Sequence, residues 1–210
     1  MDDYNIKLDN FLFPIINKID NPIFLELGVQ KGRSTKKFLE ICKKNNGKLF
    51  SVDIDDCSNV IEDKNWKFIH SSDDNFEYIK KIIPRELDVI FVDTVHEASH
   101  VEKIIYGYYD LLKEGGYIFV DDISHLPYLK NSTTNNFYCE INNKETFNKL
   151  LEIYFSNIDL IELNFSFKSS GLAIIKKKNL APLNFLKKLK TREHSIKNII
   201  RKIWIRLKKD

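Results

Sequence analysis

Short apolar runs alternate along this chain with longer stretches in which apolar residues recur at helical spacing. IFLEL (23–27), LFSVDI (49–54), WKFIH (66–70), LDVIFVD (87–93) and YIFVDDI (117–123) read as strands. The run from Leu87 to Asp93 has the profile of a strand covered on both faces, because its apolar residues are nearly continuous and bounded by acids. Between the strands, RSTKKFLEICKK (33–44) predicts a helix with Phe38, Leu39, Ile41 and Cys42 on one side. DDNFEYIKKII (73–83) predicts a second, and HVEKIIYGYYDLLKEGG (100–116) a third that ends in a glycine cap. A helix near 143–155, a strand near 158–166 and a last strand GLAIIKK (171–177) complete the pattern.

Strand, helix, strand in repetition implies right-handed crossovers and a mostly parallel sheet. The expected fold is therefore α/β: a doubly wound, Rossmann-like, seven-stranded sheet. Only Lys168, Ser169, Ser170 and Gly171 separate Phe167 from Leu172, so the last connection is a hairpin and sets one antiparallel strand into the sheet. Residues 1–178 form the expected domain, with 1–20 as an N-terminal helical cap, and 179–210 a separate basic tail.

Composition narrows the setting. An apolar content of 43% supplies a core for 210 residues. Cys42, Cys57 and Cys139 are odd in number and without a C-x-x-C spacing, which argues against a disulfide framework or structural zinc and fits a reducing cytoplasm. No signal-like start and no apolar stretch near the roughly 18 residues of a membrane span are present. The charge is uneven: from Leu183 onward ten Lys or Arg face only Glu193 and Asp210, a net of +8 that leaves the rest at −5 within a total of +3. Ile196, Ile199, Ile200, Ile203, Trp204 and Leu207 form one helical stripe among these bases. Such a helix suits an anionic membrane surface, the body of the protein or a second subunit of a homo-oligomer; nucleic acid is the least favoured partner, since no RNA-binding motif accompanies it. The expected location is the cytoplasm, with a peripheral position at the inner membrane surface as its variant.

The chemistry is concentrated where strands end. The first strand runs into Gly28-Val29-Gln30-Lys31-Gly32, where Gly28 lets the chain turn sharply and Gly32 opens the next helix. The spacing is G-x-x-x-G, which lacks the middle glycine that seats a dinucleotide pyrophosphate. Asp53 closes the second strand and is placed to accept hydrogen bonds from a ribose, so the pair suits a nucleoside without phosphate. Asp93 closes the fourth strand with His96 three residues on, and Asp121 and Asp122 close the fifth. Three carboxylates on adjacent strand ends describe a site for a hard cation such as Mg²⁺, although adjacent acids also simply cap strands. His96-Glu97-Ala98-Ser99-His100 spells a zinc-peptidase H-E-x-x-H, but a strand ending at Asp93 leaves His96 in a turn and His100 in the next helix, with no third ligand beside them.

ELGVQKGRS followed by SVDID resembles the S-adenosyl-L-methionine motifs of class I methyltransferases. That resemblance places Glu26, Gly28, Gly32 and Ser34 around the methionine part, Asp53 at the ribose, and Ser72 and Asp73 at the adenine. The stretch 87–123 is similar to metal-dependent O-methyltransferases, of the macrocin or macrolide-sugar type and more distantly the catechol type. It implies Asp93, Asp121 and Asp122 as metal ligands, Asp93 also beside the cofactor, and His96 as general base. The same resemblance implies a divalent metal such as Mg²⁺, a saccharide or small diol as substrate, and S-adenosyl-L-homocysteine as product. A catechol-like acceptor, or a non-catalytic module that binds the cofactor and is recruited through its basic tail, are the competing readings. His100 and His125 are expected as polar residues at the cleft margin, and the loop 124–142 as a lid or acceptor-binding insert.

Overall fold

The computed structural model describes residues 3–125, 137–189 and 195–207. Seven strands form a single sheet: β1 (Ile23–Leu27), β2 (Lys48–Asp53), β3 (Trp66–His70), β4 (Leu87–Val92), β5 (Leu112–Asp121), β6 (Ile161–Ser166) and β7 (Leu172–Lys177). Their order is β3-β2-β1-β4-β5-β7-β6, with β7 antiparallel to both β5 and β6 and every other pairing parallel. The α/β class, the mostly parallel sheet and the antiparallel hairpin strand are as the sequence pattern predicts.

Side chains that alternate along the strands feed two cores. Phe24, Leu49, Val89, Phe91 and Phe119 face helix α3 (Arg33–Lys44) and the N-terminal helices, where Phe38 packs edge-on against Phe24 and Phe91. Leu25, Leu27, Ile90, Val92, Ile118 and Val120 face the opposite side, with residues of helices α5 (Ala98–Tyr108) and α6 (Phe137–Ser156). Each central strand is thus covered twice, which is why β4 is buried at all six positions. The chain begins with α1 (Asp3–Lys7), which continues through a π-helical turn (Leu8–Leu12) into α2 (Phe13–Ile16). Leu8, Leu12, Phe13 and Ile16 are buried against the first core.

Two helices are shorter than their patterns predict. The helix expected over 73–83 is the single turn α4 (Phe76–Ile79), followed by tight turns in which Lys81 donates to the Tyr78 carbonyl and Ile82 to that of Ile79. Asp73 and Asp74, which would have opened it, are bound to other elements instead. The helix expected over 100–116 ends at Tyr108 and a 3-10 turn, Tyr109–Leu111. There the buried Lys177 Nζ donates to the carbonyls of Tyr109 (2.9 Å) and Leu112 (2.7 Å), taking over acceptors that another helical turn would have used. Gly115 and Gly116 therefore lie inside β5, not at a helix cap.

The expected loop 124–142 is helical from Phe137 onward, and 126–136 falls outside the described residues. Cys42 and Cys57 are free and buried. In the tail, the segment before residue 190 lies on the body: the Asn184 amide donates to Asn157 Oδ1 (2.7 Å), and Leu183 and Leu186 touch the core. Helix α7 (Ile196–Leu207) keeps its apolar stripe exposed. No helix among the described residues is long and apolar enough to cross a membrane.

Candidate active site

Strand order reverses between β1 and β4, so their crossovers leave in opposite directions and open a crevice at the carboxyl edge of the sheet. A cleft of about 690 Å³ occupies that place. Gly28, Ser34, Asp53, Ser72, Asp73, Asp93, His96, Asp121 and Asp122 all line it. Glu26 and Gly32, expected beside them, lie outside the lining: Glu26 is fully buried beneath the glycine loop, and Gly32 is the residue from which α3 starts.

Glu26 supports the loop from below. Its Oε1 accepts from Ser34 Oγ, and its Oε2 accepts from Thr35 Oγ1 (2.8 Å) and Ser51 Oγ (2.7 Å). Burial pushes its carboxyl up from 4.5 to about 7 in spite of these three donors. Above it the chain turns at Gly28 with φ +96°, and a Cβ there would stand 2.0 Å from the Asp93 carbonyl oxygen. Only glycine lets the loop pass so close to the end of β4.

Asp53 braces the same loop from the side. Its Oδ2 accepts the backbone N–H groups of Val29 (2.7 Å) and Gln30 (3.0 Å), and its Oδ1 that of Asp55 (3.0 Å). Burial works to raise its carboxyl, but the backbone donors outweigh burial and hold it below the usual range. A carboxylate has about four acceptor positions, so capacity for a ribose hydroxyl remains beside these bonds.

At the far wall Asp73 Oδ2 accepts from Thr94 Oγ1 (2.7 Å) and lies 2.9 Å from His100 Nε2. His100, in the first turn of α5, is therefore part of the cleft wall, as its expected place at the cleft margin implies, and Asp73 is the partner that the sequence did not disclose. Ser72 Oγ donates to Asp74 Oδ1 (2.6 Å), and Lys103, together with Ser72, holds the Asp74 carboxyl down at about 2. His125 lies away from the cleft, its ring 4.7 Å from that of Phe147. Glu97 has extended backbone and caps α5, so His96 stands outside the helix that carries His100 and the peptidase geometry is not formed.

The reaction end holds His96 between two acids, with Nε2 3.3 Å from Asp122 Oδ2 and 3.7 Å from Asp93 Oδ1. Asp122 has φ +58°, a left-handed conformation, and its N–H donates to Asp121 Oδ1 (2.7 Å). The third carboxylate is already engaged. Lys7, fully buried at the end of α1, donates from Nζ to Asp121 Oδ1 and to Ser170 Oγ (2.7 Å), and stands 4.0 Å from Asp122 Oδ1. Burial and then repulsion from Asp93 push the Asp121 carboxyl up, against the pull of Lys7. A divalent cation takes oxygen ligands at about 2.0–2.6 Å, and Asp121 Oδ1 is already bonded to the Lys7 ammonium and to the Asp122 N–H. The residues present thus do not fit the expected metal site of Asp93, Asp121 and Asp122. Among the described residues no group of three or more His, Cys, Asp or Glu is arranged to hold a metal ion.

Residues 25–123, which carry the glycine loop, Asp53, Asp93, His96, Asp121 and Asp122, match a family described as a methyltransferase domain. The fold agrees with solved structures. A candidate caffeoyl-CoA O-methyltransferase from Staphylococcus aureus is 18% identical, with 84% of each chain covered and a TM-score of 0.61. The Podospora anserina methyltransferase PaMTH1, solved with S-adenosylhomocysteine, is 18% identical over 75% of this chain and 72% of its own, with a TM-score of 0.60. MycE, a methyltransferase of mycinamycin biosynthesis solved with Mg, S-adenosylhomocysteine and mycinamycin VI, is 16% identical over 84% of this chain and 50% of its own, with a TM-score of 0.58. No curated protein sequence matches the chain.

Proposed function

We propose that this protein is a methyltransferase that transfers the methyl group of S-adenosylmethionine to a hydroxyl of a saccharide, with His96 as general base. The observation that carries the reading is one imidazole, flanked by Asp93 and Asp122, in the same cleft as the Gly28 loop and Asp53. The bound cofactor supplies a sulfonium methyl group that is already activated. The chain's task is to hold the acceptor oxygen in line behind the carbon–sulfur bond and to remove its proton. His96 Nε2 takes that proton as the oxygen bonds to the methyl carbon, and the carbon–sulfur electrons remain on the thioether product. The imidazolium so formed faces two carboxylates, which stabilise its charge. Asp53 and the loop it braces hold the nucleoside, and the exposed apolar side chains of Ile54 and Val95 offer contact surface on the cleft walls.

Two considerations support a saccharide over a catechol-like acceptor: the stretch 87–123 resembles the sugar-type enzymes more closely than the catechol type, and MycE, similar in fold, is solved with mycinamycin VI. The divalent ion expected from the sequence takes no part in the proposal, because Lys7 already engages Asp121. The test is transfer of labelled methyl from S-adenosylmethionine to a panel of glycosides and catechols. We expect glycosides to be labelled, and His96→Ala to lower the rate by about 10²–10⁴-fold while calorimetry shows unchanged cofactor binding. Labelling confined to catechols would replace the acceptor class, and cofactor binding without transfer to any acceptor would favour a binding module.

For the tail we propose docking on an anionic lipid surface. The exposed stripe of Ile196, Ile199, Ile200, Ile203, Trp204 and Leu207 lies on a helix that also carries Lys197 and Arg201.

A further inference from the structure

We propose that the Lys7 ammonium is the resident cation of the carboxylate cluster, so that this site excludes divalent metal and works without one. The inference rests on the methyl-transfer reading for its consequence, but not for its geometry. Three acids converge at the ends of β4 and β5, and such a cluster needs a positive charge among them. The chain delivers its own. Lys7 reaches Asp121 across 114 residues of sequence, bonds Ser170 Oγ in the turn before β7, and comes within 4.0 Å of Asp122.

The lysine is not a surface side chain that has folded inward. It has no exposed area, and the residues directly after it are anchored: Leu8 and Leu12 are fully buried and pack with Phe24, Phe91 and Phe119. Withdrawing Nζ would leave Asp121 buried without its cation, which is strongly unfavourable. An ion entering from the cleft would have to displace an ammonium that the first core holds in place. With Asp121 so compensated, Asp93 and Asp122 remain to face His96, and the ring accepts the acceptor's proton without assistance from a metal.

The test is titration of the full-length protein with Mn²⁺, followed by calorimetry and electron paramagnetic resonance. We expect the unmodified protein to show no Mn²⁺ binding at this site. Lys7→Ala should acquire it, and Lys7→Ala/Asp121→Asn should lose at least the roughly 10–100-fold in affinity that even outer-shell changes cost a metal site. Should Lys7→Ala fail to fold, the unmodified protein still decides: Mn²⁺ binding that Asp121→Asn abolishes would overturn the proposal. A second arm measures methyl transfer with and without EDTA, where we expect no loss; loss restored by Mg²⁺ would also overturn it. Failure to find any methylated acceptor would count against the methyl-transfer reading, while the Mn²⁺ arm would still judge Lys7.

Discussion

Glu26 shows how a residue can matter to a cleft it does not touch. Its carboxyl is pushed from 4.5 to about 7 by burial, so the folded chain keeps this proton to higher pH than the unfolded chain does. Below about pH 4.5 both states are protonated and nothing is lost. As pH rises towards 7 the unfolded state releases the proton first, so stability falls across that window and is flat above it. The cost is on the order of 3 kcal/mol. Urea unfolding at pH 5 and pH 8 should therefore show a larger loss in the wild type than in Glu26→Gln; parallel losses would assign the effect to another group. The residue's importance was legible from its place before Gly28, but its role was not. A sequence shows an acid at the end of a strand, whereas only the packed structure shows Ser34, Thr35 and Ser51 closing over it.

At the scale of elements, the strand ends were readable because each carries an acid after a continuous apolar run. Asp53, Asp93, Asp121 and Asp122 stand where that pattern sets them, all on the cleft. Helix ends were less readable. Periodicity carried α5 on to Gly115 and Gly116, since nothing local reveals that Lys177, in a distant strand, takes the Tyr109 and Leu112 carbonyls. His100 was expected at the cleft margin, but its partner was hidden for a similar reason, Asp73 lying in a loop 27 residues earlier. The loop after β1 offers the sharpest test at this scale. Gly28→Ala adds a Cβ at 2.0 Å from the Asp93 carbonyl oxygen at a residue with φ +96°. Backbone strain alone costs about 1–3 kcal/mol, and the contact forces loop and β4 apart. Calorimetry should show a large loss of S-adenosylmethionine affinity along with a lower urea midpoint. Unchanged affinity would mean that the cofactor does not rest on this loop.

For the whole molecule, the amphipathic pattern of the tail was legible, and the structure divides the tail in two. Its first part is bound to the body through Asn184 and Leu186, so the reading in which the tail packs on its own domain applies there. The helix beyond does not share that environment: Trp204 is 59% exposed and Ile200 61%. An apolar stripe flanked by bases fits anionic lipid in both respects, since the stripe gains from burial and each Lys or Arg near such a surface contributes about 1 kcal/mol. Binding should then need both terms at once. The full chain should sediment with vesicles containing phosphatidylglycerol but not with pure phosphatidylcholine, and salt should release it as the Debye length shrinks from about 10 Å at 0.1 M to about 3 Å at 1 M. Trp204→Ser with Ile200→Ser should weaken binding while leaving the charge unchanged, and truncation after residue 189 should abolish it with the cleft intact. If vesicles are ignored and ultracentrifugation shows a dimer that the truncation dissolves, the stripe belongs to a second copy of the chain instead. That result would leave Lys7 and His96 in their places, because neither depends on what the final helix meets.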